Sequence, residues 1–304
     1  MRTDSDLDGF AERFERGRPV LVRHAYRMLG DYTEAEDAVQ DAFLRWARAA
    51  QATAVEDDQA FLRTTVTRLC LDRLRSARAR RESYVGPWLP EPIIHEAADG
   101  PESAAVLADD LSFALLLALE RLDPLERAAF LLHDALGVPF SEVAQTLERS
   151  EEAVRKLASR ARVRVQDAHR GPRVPREKAA QLRDRFLAAL QRDDAAALQA
   201  LLVQDVVLTS DGGGKVAAAA VPIIGSERVT QFFMGVAKKG GAGVRRIEFT
   251  EINGLPGIVT FDSAGINLAV AYETDGEHIR AIYAVRNPDK LARLARSLVK
   301  EPSP

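Results

Sequence analysis

The chain has 304 residues, of which 46% are hydrophobic and 29% are charged, a balance typical of proteins with buried cores. At roughly 100–200 residues per domain, this length predicts two or three domains. The single cysteine, Cys70, excludes an internal disulfide and a zinc site built from several cysteines, and the first 20 residues lack the apolar block of a secretory signal. We therefore expect a cytoplasmic protein with a reduced thiol and no membrane anchor.

The small net charge of −3 hides a strong segregation of charge along the chain. Residues 61–81 contain seven arginines against one aspartate, which gives a net charge of +6, and residues 149–173 contain eight basic residues against three acidic ones, which gives +5. Residues 96–134 contain nine acidic residues against two arginines, which gives −7. Two basic segments separated by an acidic one favour two helices that face anionic partners; the alternative is a pair of solvated helix faces.

The first block, from Asp8 to about Arg81, is predicted to be helical because apolar residues recur at spacings of three and four. A turn at Gly30–Thr33 separates two of its helices, and Thr33 with Glu36 has the pattern of a capping box. Residues 82–104 contain four prolines and two glycines and are predicted to form a linker. The linker segment Trp-Leu-Pro-Glu-Pro (88–92) is too apolar for a linker that is fully exposed to solvent, so we expect it to dock on another part of the chain.

The second block, residues 105–170, has the pattern of a helix-turn-helix. Pro124 follows Asp123 where a first helical turn can begin, and a short helix is predicted over 140–147. A turn at Glu148–Arg149 follows, and Ser150 can cap a basic amphipathic helix. The second helix of such a motif enters the major groove of DNA. The pattern alone is only moderately specific, because many helical hairpins share it.

The third block, residues 176–304, changes from helices to strands. One or two helices are predicted over 176–203, a further helix over 226–238, and a last one that begins at Pro288. The predicted strands span 206–209, 216–224, 244–252, 258–261, 266–274 and 278–285. This order favours an α+β cone with a curved antiparallel sheet.

Several segments resemble a known family. TEAEDAVQDAFLRW (33–46) resembles the polymerase-clamp-binding helix of bacterial sigma-70-type factors, and FLRTTVTRLCLDRLRSARARR (61–81) resembles the −10 recognition helix of the extracytoplasmic-function (ECF) group. Residues 123–164 are similar to the −35-reading helix-turn-helix of that group. The segment 88–92, SDGGGK (210–215) and RNPDKL (286–291) together resemble ECF factors of the sigma-J type, which carry a fused SnoaL-like domain.

The resemblance implies a multidomain fold of two all-α sigma domains and an α+β SnoaL-like, cystatin-like cone domain. Region 2, a helical bundle, would span residues 8–81, and a linker would follow over residues 82–104. Region 4, the helix-turn-helix, would span residues 105–170, and the regulatory SnoaL-like domain would span residues 176–304. The implied function is to direct core RNA polymerase to promoters and to start transcription, with the fused domain as a built-in regulator. Neither enzymatic activity nor a cofactor is expected.

The resemblance also implies three groups of site residues. The polymerase-binding residues would be Asp37, Gln40, Asp41, Phe43 and Trp46, although the two aromatic residues have an alternative role in helix packing. The −10 element would be held by Arg63, Arg68, Arg73, Arg75 and Arg78. The −35 element would be read by Glu152, Ala153, Arg155, Lys156 and Arg160. The loop at about Ala50–Asp58 would capture a flipped base, but it has no aromatic residue on which a base could stack.

A fourth group would join the linker to the third domain. Its members are Trp88, Leu89, Pro90, Asp211, Gly212, Gly213, Gly214, Lys215, Asn287, Pro288, Asp289 and Lys290. The three glycines permit positive φ and close backbone approach. A plain hairpin turn at 211–215 and an ordinary helix start at 287–290 are the alternatives, and the spacing of a nucleotide-binding P-loop is missing.

Two other functions compete with a sigma factor. A one-component helix-turn-helix regulator would sense a small molecule in a cavity lined by Phe186, Phe232, Phe233 and Tyr272. A SnoaL-like cyclase or isomerase would need an aspartate base in an apolar cavity, and Asp205, Asp211, Asp262, Tyr272, His278 and Tyr283 are available without a recognisable catalytic spacing. Cys70 lies between two leucines, so we expect a buried thiol rather than a redox switch.

Overall fold

The computed structural model describes residues 4–52, 55, 57–82, 84–94, 111–165, 174–239 and 243–298. The chain divides into two compact units, one formed by residues 1–82 and 116–167 and the other by residues 83–115 and 168–304. Among the described helices, none is long and apolar enough to cross a membrane.

The first unit begins with three helices: α1 (Asp4–Leu29), α2 (Tyr32–Ala52) and α3 (Asp58–Glu82). Gly30, with φ of 68°, ends α1 in the left-handed conformation that favours glycine. The Asp31 carboxylate accepts a hydrogen bond from the Glu34 amide at 2.9 Å and caps α2. The predicted capping box at Thr33 and Glu36 is therefore wrong, because the helix begins one residue before Thr33 and uses the preceding aspartate.

The second half of this unit contains five short elements. They are α4 (Phe113–Glu120), which extends from the other unit, α5 (Pro124–Phe130), a π-helix (Leu131–Ala135), α6 (Phe140–Leu147) and α7 (Glu151–Val165). Asp123 and Glu126 form a capping box around Pro124 at the start of α5. Glu148, with φ of 54°, makes the turn after α6, and the Ser150 hydroxyl accepts the Ala153 amide at 3.2 Å. The helix-turn-helix thus lies where the sequence predicts it.

The described part of the second unit contains four complete helices and a six-stranded sheet. The helices are α8 (Arg176–Gln191), α9 (Ala195–Ala200), α10 (Ser226–Lys238) and α11 (Pro288–Leu298). The strands are β1 (Leu202–Asp211), β2 (Ile223–Ile224), β3 (Arg246–Ile252), β4 (Leu255–Asp262), β5 (Gly265–Thr274) and β6 (Ile279–Val285), and their order in the sheet is β2-β1-β6-β5-β4-β3.

Two details of this sheet differ from the sequence prediction. The β1 strand pairs with β6 in parallel, so the sheet is mixed rather than purely antiparallel. Of the strand predicted over 216–224, only Ile223 and Ile224 pair with β1. Pro222 has no N–H for the ladder, alanine has a low strand propensity, and the Val221 side chain is 69% exposed, so nothing stabilises a longer strand there.

The helices α8–α10 cover one face of the sheet and form its main core. Phe186 and Tyr272 are buried in that core, and the ring of Phe233 meets the ring of Phe186 edge to face at 5.1 Å. The Tyr272 hydroxyl donates to the carbonyl of Ala179 at 2.9 Å. The aromatic residues proposed to line a ligand cavity are therefore packed in, or against, the domain core.

Candidate nucleic-acid, polymerase and linker-docking sites

The outer face of α2 forms one candidate site. Asp37, Gln40 and Asp41 are exposed, and Leu44, which is not among the predicted site residues, is 47% exposed on the same helix. These four residues lie at positions i, i+3, i+4 and i+7 and so form one stripe on the helix surface. The stripe combines carboxylate, amide and apolar groups.

The two aromatic residues of α2 lie deeper. Phe43 is half-buried, and its ring lies 4.5 Å from that of Phe14. Trp46 is fully buried and donates its indole N–H to Asp58 at 2.8 Å. Trp46 thus matches the helix-packing interpretation, and its interpretation as a surface anchor does not fit the structure.

The arginines of α3 have different surroundings. Arg73 bridges to α2 through Asp41 at 2.8 Å and Glu34 at 3.5 Å, so it also braces the helical bundle. The Arg75 side chain is 78% exposed and pairs only loosely with Asp72 within the same helix, at 3.3 Å. The side chain of Arg78 lies outside the described residues.

Arg63 and Arg68 are held by α6 of the helix-turn-helix. Arg63 pairs with Glu142 at 3.1 Å, and Arg68 pairs with Glu148 at 3.1 Å. Arg68 also donates to the carbonyls of Thr146 and Gln145 at 3.0 Å and 3.1 Å, which lie at the C-terminal end of α6. Two arginines predicted to hold the −10 element are therefore in contact with the helix-turn-helix.

A buried arginine adds a second link between the two halves of this unit. Arg127 of α5 is 3% exposed; it donates to the carbonyl of Met28 in α1 and pairs with Glu120 at 3.1 Å. Burial lowers the pKa of Arg127 to about 10, so it keeps its charge at neutral pH. A buried charge of this kind fixes α5 against the end of α1.

A pocket of about 530 Å³ opens between α2 and the beginning of α3. It is lined by Arg45, Ala60, Phe61, Thr64, Thr65 and Arg68. Phe61 is half-buried in this pocket and supplies an aromatic ring that the loop at 50–58 lacks. Residues 53, 54 and 56 of that loop lie outside the described part of the chain.

The basic residues of α7 are arranged around carboxylates of their own domain. Arg160 and Arg164 both pair with Glu126 of α5, at 2.7 Å and 2.5 Å, and Lys156 pairs with Glu152 at 2.6 Å. Burial alone would raise the pKa of Glu126, but hydrogen bonds from Arg160 and from the Asp123 amide, with the charge of Arg164, lower it overall. Arg160 is therefore also a structural link between α7 and α5, whereas Glu152, Ala153 and Arg155 lie at the first turns of α7.

In the second unit, Asp211 is the centre of the linker-docking site. It is fully buried and accepts hydrogen bonds from the Tyr84 hydroxyl at 2.6 Å and from the Leu89 amide at 2.9 Å, both in the linker. Lys290 of α11 lies 2.6 Å from the same carboxylate, and its ammonium group sits 4.4 Å from the centre of the Trp88 ring. Asp211 thus ties together the linker, the sheet and the last helix, which leaves it no role as a catalytic base.

The glycines after Asp211 are required by close contacts. Gly213 and Gly214 have φ of 61° and 70°. A Cβ on Gly213 would lie 2.3 Å from the side-chain Nδ2 atom of Asn287, and one on Gly214 would lie 3.0 Å from Cβ of Val85. Lys215 and Asp289, two other members of the predicted group, form an ion pair at 2.5 Å on the surface. The structure brings the predicted linker-docking residues into one cluster.

Asn253 is a docking residue whose sequence signal predicts only a turn. Its side-chain oxygen accepts the Ile93 amide at 3.0 Å, its own amide donates to the Ile93 carbonyl at 2.9 Å, and its side-chain nitrogen donates to the Leu111 carbonyl at 3.0 Å. Two positions 18 residues apart, Ile93 in the linker and Leu111 beyond it, therefore bind one buried residue. A local turn signal such as Asn-Gly gives no indication of such distant partners.

Comparisons with known proteins agree with this architecture. The Sigma-70 region 2 model matches residues 13–80, and a Sigma-70, region 4 model matches residues 112–165. The ECF RNA polymerase sigma factor SigJ of Mycobacterium tuberculosis (strain ATCC 25618 / H37Rv) is 40% identical over 291 residues, which is 91% of each chain. The chain belongs to the ECF group of the sigma-70 family.

A second relative and a solved structure of SigJ extend the likeness through the C-terminal domain. A probable ECF RNA polymerase sigma factor, SigI of M. tuberculosis (strain CDC 1551 / Oshkosh), is 28% identical over 97% of this chain and 99% of its own length. The crystal structure of M. tuberculosis SigJ matches with a TM-score of 0.74 and 36% identity, and covers 93% of this chain and 98% of the solved one. The predicted fold class and sigma-factor function are confirmed, so this chain is an ECF RNA polymerase sigma factor.

Proposed function

We propose that this ECF sigma factor binds the polymerase clamp through α2. The support is the exposed stripe of Asp37, Gln40, Asp41 and Leu44, with Phe43 beside it. The two carboxylates suit a basic surface on the polymerase, and Leu44 supplies the apolar contact that the buried Trp46 cannot make. We assign Leu44 to this site in place of Trp46.

Promoter DNA at the −10 element binds along α3. Arg75 offers an exposed guanidinium group to the phosphates. The same helix carries the other predicted DNA-binding arginines, which are Arg63, Arg68, Arg73 and Arg78. An unstacked base of the melted strand enters the pocket between α2 and α3, where Phe61 provides a stacking surface. Arg45 and Arg68 at this pocket neutralise the adjoining phosphates. The −35 element lies along the first turns of α7.

The contact of Arg63 and Arg68 with α6 is the main support for this proposal. The carboxylates of Glu142 and Glu148 neutralise these guanidinium groups, and this weakens the attraction of the two arginines for phosphates. Region 4 therefore competes with −10 DNA for region 2. The described arrangement is a closed, inactive form, and promoter binding requires that α6 leave α3.

The C-terminal domain regulates this opening through the linker. Region 2 ends with α3 at Glu82 and the region 4 match begins at residue 112, so the linker is the tether between the two DNA-binding helices. A released tether can extend by up to about 3.3–3.6 Å per residue. Residues 84–94 and 111 dock on Asp211 and Asn253, and this docking shortens the free part of the tether. A short tether keeps region 4 at high effective concentration near region 2.

A transcription assay tests this proposal. Core polymerase and the purified chain transcribe genomic DNA of the source organism, and mapping of RNA 5′ ends identifies promoters. At those promoters, the double variant Glu142→Gln/Glu148→Gln is expected to raise output several-fold at limiting sigma factor, because it removes the ion pairs that hold Arg63 and Arg68 to region 4. Glu227→Gln, at an exposed position of α10, is the control.

Two results would contradict the proposal. Absence of any defined start site contradicts the assignment of the DNA- and polymerase-binding surfaces. Promoter output of the double variant that equals the control contradicts the closed form alone.

A further inference from the structure

We propose that Phe140 is a positioning residue that makes Arg155 the base-reading side chain of α7. This inference rests on the proposed binding of α7 to −35 DNA. The guanidinium carbon of Arg155 lies 4.4 Å from the centre of the Phe140 ring, and the Arg155 side chain is 57% exposed. Arg155 is the fifth residue of α7, within the first turns that a recognition helix presents to base edges.

The Phe140 ring is itself held in place. The His133 ring stacks on it with a centroid separation of 3.6 Å and an interplanar angle of 24°. His133 lies in the π-helix, where the Leu136 amide donates to the Leu131 carbonyl at 3.1 Å, and its Nδ1 atom lies 2.8 Å from the carbonyl of Val138. The wide π-turn and Gly137, with φ of 69°, fix the path from His133 to Phe140. The ring is thus a fixed platform rather than a mobile surface side chain.

The other described basic residues of α7 have a different environment. Arg160 and Arg164 share Glu126, Arg162 pairs with Asp134 at 2.5 Å, and Lys156 pairs with Glu152. Within the described part of the helix, Arg155 is the basic residue that stacks on an aromatic ring. Its one acidic partner, Glu151, is 45% exposed and lies one turn earlier, so DNA can replace that pair.

Stacking leaves the reading atoms of Arg155 available. A guanidinium that lies on a ring still directs its N–H groups outward in its own plane, and two of them match O6 and N7 of guanine. An arginine without the platform must lose side-chain freedom when it binds, which weakens the contact. Phe140 therefore contributes to sequence preference without touching DNA.

The test uses holoenzyme and a promoter library randomised across the −35 region, with transcript sequencing as the readout. Arg155→Lys is expected to lose a guanine preference at one position, because lysine cannot make the two-bond contact. Phe140→Leu is expected to weaken that same preference roughly two- to five-fold and to leave the other positions unchanged. Phe140→Tyr keeps the ring and is expected to keep the preference.

Specific outcomes overturn the inference. Phe140→Leu with unchanged preferences overturns it, and so does an equal loss at all positions, which indicates a general structural effect. Should Phe140→Leu fail to fold, judged by its thermal unfolding, Phe140→Met carries the same expectation. A wild-type holoenzyme with no −35 preference contradicts the proposed function itself, whereas a neutral Phe140→Leu with intact preference contradicts the inference alone.

Discussion

At the scale of single residues, the linker-docking site depends on a buried charge pair. Asp211 is fully buried, and the Lys290 side chain is 10% exposed. Loss of one partner leaves the other charge uncompensated in the core, so Asp211→Asn is expected to destabilise the C-terminal domain by about 3–5 kcal/mol. Chemical denaturation followed by circular dichroism measures this change.

The control for that prediction is Asp289→Asn. Asp289 pairs with Lys215 at the surface, where both side chains are more than half exposed, so its loss is expected to cost less than about 1 kcal/mol. Replacement of both buried partners, in Asp211→Asn/Lys290→Met, is expected to recover part of the loss. Equal effects of Asp211→Asn and Asp289→Asn would contradict the assignment of Asp211 as the centre of the site.

Cys70 gives a second prediction at this scale. The thiol is buried, and burial raises its pKa to about 12, so almost no thiolate forms between pH 7 and pH 9. Alkylation by iodoacetamide at pH 8 is expected to be very slow in the native protein and complete within minutes in denaturant. Rapid native labelling, measured by mass spectrometry, would show instead that Cys70 is accessible to oxidants.

At the scale of elements, Glu126 makes the attachment of α7 to α5 depend on pH. The pKa of Glu126 is below its usual value of 4.5 in the folded protein. Glu126 therefore stabilises region 4 fully above about pH 4.5, and this stabilisation is lost as the pH falls through the folded-state pKa. Glu126→Gln is expected to lower stability at pH 7 and to flatten the loss of stability between pH 5 and pH 3.

Thermal unfolding of the full-length chain across that pH range measures the effect. Glu142→Gln is the matched control, because the Glu142 side chain is 47% exposed and pairs with one arginine. A parallel pH profile for Glu126→Gln and the wild type would contradict the role of Glu126 as the link between the two helices.

The sequence predicted most elements because their signals are local. Three ends of helices were predicted from local signals and are present in the structure. They lie at Asp123 and Pro124, at the turn of Glu148 and at Pro288. The strand predicted over 216–224 failed because apolar composition alone does not make a strand: residues 216–222 pair with no neighbouring strand, and Pro222 removes a donor. The parallel pairing of β1 with β6 joins segments about 70 residues apart and leaves no local pattern.

At the scale of the whole molecule, the proposed control of promoter output through the linker can be tested at Asn253. Asn253 has φ of 51°, and glycine adopts that conformation without strain, so Asn253→Gly removes the side-chain hydrogen bonds and keeps the backbone. We expect this variant to release the linker, which increases protease cleavage within residues 83–115 and raises promoter output. Limited proteolysis with mass spectrometry and the transcription assay measure the two effects.

Deletion of residues 176–304 tests the same control more drastically. Promoter output is expected to change while binding to core polymerase persists, because the polymerase-binding stripe lies on α2. If both Asn253→Gly and the deletion left promoter output at the wild-type level, the C-terminal domain would have no regulatory role.

Short stretches of the chain were enough to reveal the resemblance to sigma-70 factors, the order of the helices and the residue types at each site, because caps, turns and motifs are local. The use of those residues depends on contacts that no short stretch contains. Trp46 is in the core and Leu44 is on the surface, Arg63 and Arg68 contact region 4, and Asn253 binds Ile93 and Leu111. Burial and pairing depend on residues far apart in the chain, and these non-local contacts set which charged groups remain accessible to DNA and polymerase.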